Sequence, residues 1–128
     1  MRGYFSMILH AHLPYVRHPE YEEFLEEDWL YEAISETYIP LLNMFENLTR
    51  DKIPWSITMT MSGTLANMLN DELLRSRYEV SLNKSLELCR LEVERLKDQE
   101  ELLNVAKFNL SFFKRAKETF LRYNGDLI

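Results

Sequence analysis

Residues 55–62 alternate without a break: Trp55, Ile57, Met59 and Met61 are apolar, while Ser56, Thr58, Thr60 and Ser62 are small hydroxyl residues. A strict period of two belongs to an extended strand with two chemically different faces. Tyr4 to Leu9, short and rich in aromatic and branched residues, reads as a second strand. If the extended form continues past Leu9, Tyr4, Ser6, Ile8, His10 and His12 share one face, and Phe5, Met7, Leu9 and Ala11 share the other. The stretch between the strands is long enough to hold a helix, the connection that parallel strands require. The chain therefore reads as α/β. Two strands alone make no stable sheet, so flanking strands are expected that these 128 residues do not supply.

Pro14 and Pro19 make residues 13–25 irregular, and a helix is expected from about Glu26. Glu26, Glu27 and Asp28 stand where the positive end of the helix dipole favours them. Apolar residues then recur at helical spacing from Leu30 to Leu48, with Pro40 expected to kink or restart the helix. After the second strand, Gly63 is a stop and residues 64–75 read as a short helix. From about Val80 to Tyr123 two apolar stripes suggest a helical hairpin turning near Lys97–Glu101, and Asn124-Gly125 ends it.

Composition narrows the classes of function. A net charge of −6 and the lack of a basic, aromatic-studded groove argue against sequence-independent binding of nucleic acid. A neutral polymer such as a glucan is indifferent to that charge. The single cysteine, Cys89, excludes an intramolecular disulfide and a cysteine-based zinc site, and reads as a small buried helix residue. The apolar run after Arg2 is too short for a signal sequence and no segment can span a bilayer, so a cytoplasmic protein without a membrane partner is expected.

His10-Ala11-His12 carries the chemistry best. Two histidines at i and i+2 off a strand end point to one side, and strand ends of this polarity line the clefts of β/α folds. They can hydrogen-bond sugar hydroxyls, move protons or bind metal, or they can simply pack. The hydroxyl face of residues 56–62 is either an interior lining near a cleft or a solvent-facing edge. Trp29 either stacks on a sugar ring or packs beneath the loop, and Trp55 reads as core. His18 reads as exposed. Glu20, Glu22, Glu23, Glu26, Glu27 and Asp28 read as a solvated face, not as the opposed carboxylate pair that a glycosidase needs.

The opening GYFSMILHAHLPYVRHPE closely resembles the first signature region of family 57 glycoside hydrolases. EEDWLYEAISETYIPLL resembles the segment that follows in the branching-enzyme-like subgroup, and ITMTMSGTLANMLND resembles its second strand and helix. The second half of the chain carries no matching motif. The resemblance implies that residues 1–128 are the N-terminal part of an incomplete seven-stranded β/α barrel, with a helical segment at about 80–124. It implies retaining chemistry on α-1,4-glucan, without metal or cofactor, and a Glu nucleophile and Asp acid/base beyond Ile128. His10 and His12 match motif histidines lining the cleavage subsite, and Trp29 matches an aromatic near the cleft. His12-Leu13-Pro14 departs from members that carry Gln and Pro at the motif histidine, and suits the branching-enzyme form. The expected activity is that of a 1,4-α-glucan branching enzyme or glucanotransferase. The alternatives are an α-amylase of the same family, a metal-dependent deacetylase- or mannosidase-like barrel, and a non-enzymatic helical module.

Overall fold

The computed structural model describes residues 3–128. Strand β1 (Ile8–Ala11) leads into helix α1 (Glu27–Ala33), a π-helical segment (Ile34–Tyr38) and helix α2 (Ile39–Arg50). Strand β2 (Thr58–Met61) is followed by α3 (Gly63–Asn70), α4 (Glu72–Arg95) and α5 (Glu100–Arg122). The strands pair in parallel, with Ile8 opposite Thr58 and His10 opposite Thr60. The result is a mixed α/β fold with a two-stranded parallel sheet.

The ladder sets where the strands begin and end. β1 was expected over Tyr4–Leu9 but runs over Ile8–Ala11, because pairing with β2 defines it. Upstream, Tyr4 is 98% and Phe5 86% exposed. At Pro40 the α-helix restarts, as expected. The proline lies in the first turn of α2, directly after the π-helical segment. A proline there has no N–H to donate, and the wider turn accommodates the lost bond.

The helix expected over 64–75 is split at Asp71, which is extended (ψ 121°) and caps α4 by accepting from the Leu74 amide at 3.0 Å. The hairpin's first helix thus starts at Glu72, ahead of Val80. Ser62 caps α3 in the same way, accepting from the Leu65 amide at 3.3 Å. Beyond α5 the chain reverses at Asn124 (φ 53°) and Gly125 (φ 74°), where the Gly125 amide bonds the Phe120 carbonyl at 2.9 Å. A side chain at 125 would also meet the Phe120 ring, since its Cβ would lie 3.1 Å from Cζ.

The core gathers Leu30, Ile34 and Ile39 of the first helical stretch, Leu65 and Met68 of α3, and Tyr78, Leu82, Ala116 and Phe120 of the hairpin. The Tyr78 and Phe120 rings meet edge to face at 4.9 Å. In the buried interior Tyr78 Oη is satisfied by Ser35 Oγ at 2.9 Å. Cys89 is only partly buried, at the margin of its stripe. Trp55 is a correction: it is 43% exposed. It stacks on Phe45 at 4.6 Å, and its indole donates to Thr49 at 3.2 Å, so α2 takes one face of the ring and water the other.

Candidate functional site

Parallel pairing brings the C-terminal ends of β1 and β2 to one edge, with His12 and Leu13 beside Ser62 and Thr64. The Ser62 amide bonds the Ala11 carbonyl at 3.0 Å, and the Thr64 hydroxyl donates to the Leu13 carbonyl at 3.3 Å. His10 and Thr60 are register partners on the same face, and His10 Nδ1 lies 2.7 Å from Thr60 Oγ1. The His12 ring lies beside that of His10, 6.1 Å between centroids and within 10° of parallel. Both imidazoles are exposed. The hydroxyl face of β2 and the histidine face of β1 are thus one surface, polar apart from Ile8.

Trp29, in the first turn of α1, is 50% exposed, so half its surface is open to a ligand. No contact joins it to the histidines among those the structure records.

The loop between β1 and α1 is held from the helical half of the chain. Glu27, 1% exposed, accepts from the His18 amide at 3.1 Å, the Tyr31 hydroxyl at 2.8 Å and Arg77 Nη1 at 2.5 Å. Arg77 also donates to the carbonyls of His18 and Tyr21. Nearby, Arg17 pairs with Asp71 at 2.7 Å, and Lys84 with Glu23. Burial, and then the neighbouring Glu27 carboxylate, raise the Tyr31 phenol far above its usual range.

Two expectations are corrected here. Glu27 is not part of a solvated acidic face, because Arg77, from a helix 50 residues away in sequence, draws it inside. His18 is not simply exposed. Its ring lies 3.8 Å from that of Phe24 and between the carboxylates of Glu20 and Glu26, each at 3.3 Å. The Glu20 carboxyl is held below its usual range by its backbone hydrogen bond first, then by His18.

Among the described residues, no group of three or more His, Cys, Asp and Glu side chains is arranged to hold a metal ion. A broad groove between α2 and α5, bordered by Asn43, Phe45, Thr119 and Arg122, shares no residue with the histidine edge. The edge itself is open. It can offer imidazole nitrogens and hydroxyls to a polyhydroxylated ligand.

The family model described as glycosyl hydrolase family 57 matches residues 6–128, so the match runs through the motif-poor helical half. A 1,4-α-glucan branching enzyme of Thermococcus kodakarensis is 34% identical over 128 residues, covering 100% of this chain and 18% of that protein. The crystal structure of the α-amylase AmyC from Thermotoga maritima superposes with a TM-score of 0.92 at 44% identity, covering 98% of this chain and 24% of that one. A family 57 branching enzyme from Pyrococcus horikoshii superposes with a TM-score of 0.90 at 31% identity, covering 99% and 24%. The chain thus spans less than a quarter of each of these relatives.

Proposed function

Because the chain belongs to glycosyl hydrolase family 57, we propose that it forms part of the catalytic domain of a 1,4-α-glucan branching enzyme. Such an enzyme cleaves an α-1,4 linkage with retention and passes the freed chain to a sugar hydroxyl. β1 and β2 are then strands of a seven-stranded β/α barrel, whose further strands cover the open edges of the sheet.

The observation that carries this reading is the paired strand end: His10 and His12 lie parallel and exposed, beside a hydroxyl that orients the first of them. In the proposed enzyme these imidazoles hydrogen-bond sugar hydroxyls around the cleaved linkage, and Trp29 stacks on the glucan. Retention needs two carboxyl groups roughly 5 Å apart. Glu27 is buried and committed to Arg77, so we assign neither role to it. The nucleophile and the acid/base belong, in this proposal, to residues outside this sequence. The substrate is an α-1,4-glucan and the location cytoplasmic. No helix among the described residues is long and apolar enough to cross a membrane.

The 44% identity to an α-amylase structure supports a second reading, in which water is the acceptor. The complete gene product, incubated with amylose, separates the two. New α-1,6 linkages with few new reducing ends establish transfer. Reducing ends without branches establish hydrolysis. Neither product would refute both.

A further inference from the structure

We propose that Trp55 is a second glucan-binding platform, separate from the histidine edge and at the other end of the sheet. The inference rests on the reading above only in making the ligand a glucan. Trp55 stands just ahead of β2 (Thr58–Met61), whereas the histidine edge lies where β2 ends, at Ser62. Extended chain between residues 55 and 62 covers roughly 20 Å.

The turn after α2 lays the indole in place. Lys52 adopts a left-handed conformation (φ 56°), its amide bonds the Thr49 carbonyl at 3.1 Å, and the Ile53 amide bonds the Leu48 carbonyl at 3.0 Å. This pair of bonds closes the helix and turns the chain back along it. Thr49 then fixes the ring. Its hydroxyl donates to the Phe45 carbonyl at 2.9 Å and accepts the indole N–H at 3.2 Å. An indole can only donate and a carbonyl can only accept, so both directions are settled. Phe45 lies beneath the ring at 4.6 Å and within 10° of parallel. The indole is thus ordered before any ligand arrives, and binding costs little further side-chain entropy.

With its N–H taken, Trp55 offers a ligand only the face of its ring, and it is 43% exposed. An aromatic face suits the C–H face of a pyranose. Phe45 and Thr49 also border the groove between α2 and α5, together with Asn47, Arg50 and Asp51. Arg50 and Asp51 are exposed and pair at 3.1 Å, so this rim supplies donors and acceptors with little net charge. A neutral polyhydroxylated chain can bond to such a rim, whereas an apolar protein surface would strip its water without replacement.

The test uses the complete protein carrying 5-fluorotryptophan, with Trp55→Phe assigning the fluorine signal that it removes. The probe is β-cyclodextrin, a ring of α-1,4-linked glucose without chain ends. We expect a soluble paramagnetic agent to broaden the Trp55 signal, and β-cyclodextrin to shift it saturably and to shield it from the agent. In gels containing glycogen, Trp55→Ala should raise the apparent Kd at least about fivefold, and Trp55→Tyr, which keeps an aromatic face, should stay within about twofold. A signal that the agent does not broaden means that protein covers the ring, and overturns the inference. An accessible ring that β-cyclodextrin leaves unmoved overturns it too, as does unaltered retardation of a folded Trp55→Ala. If that variant does not fold, the wild-type spectra decide alone. If the complete protein leaves amylose intact while the Trp55 signal still shifts, the proposed function fails and the platform stands.

Discussion

At the scale of single residues, exposed side chains with few partners contrast with buried ones that hold the fold. His10 is exposed and makes one side-chain hydrogen bond, to Thr60, so little of the fold depends on it. His10→Ala in the complete enzyme is expected to lower kcat on amylose by roughly 100-fold and to leave the thermal midpoint almost unchanged. Unaltered turnover would remove the histidine from the proposed site. Glu27 behaves oppositely. Its carboxylate ends three hydrogen bonds in a dry environment, and losing it strands the Arg77 guanidinium. Glu27→Ala should cost about 3–5 kcal/mol in urea unfolding. A loss under about 1 kcal/mol would mean that water reaches Arg77 freely. The histidine pair was legible in the sequence because i, i+2 spacing on a strand fixes its side by geometry alone. The Glu27–Arg77 pair was not, because nothing local distinguishes Glu27 from the five acidic neighbours around it.

Elements show where local pattern is sufficient. The alternation of residues 55–62 located β2 because period two is a property of the segment itself, although only Thr58–Met61 enter the ladder. The start of β1 depended on its partner: Tyr4 to Met7 have strand-like composition, yet only Ile8 onward finds a ladder. The boundary at Asp71 was hidden because helical spacing continues across it, and a single extended residue resets the axis. Asp71 has two tasks there, capping α4 and pairing with Arg17 of the loop after β1. Asp71→Ala should therefore cost about 1–2 kcal/mol. Asp71→Ser retains a capping oxygen but not the charge, and should recover most of that loss. If serine recovers none of it, the ion pair and not the cap holds the junction.

For the whole molecule, the interior imposes a limit at high pH. Burial pushes the Tyr78 phenol up to about 12, and Tyr31 shifts in the same direction. Below about pH 10 both phenols are neutral, folded or unfolded, and nothing is lost. Above it the unfolded chain sheds protons that the folded chain keeps, so stability falls as pH rises from about 10 through the folded value. Tyr78→Phe should flatten that decline in alkaline unfolding curves. An identical slope would mean that Tyr78 is hydrated in solution. The surface is equally telling. Ile8 and Met59 expose apolar area on a sheet with two unpaired edges among the described residues, and Phe5 adds to it just upstream. The isolated 128 residues should associate with rising concentration in sedimentation runs, and a concentration-independent monomer with a sharp thermal transition would contradict this.

The clasp of Arg77 on the loop after β1 also carries a timetable. A ribosome adds about 5–20 residues per second, so Glu27 waits roughly 3–10 s for an arginine made 50 residues later. During that interval its carboxylate has no cation to draw it inward. The loop after β1 cannot be clasped before α4 has been made, and the growing chain fixes it from the back.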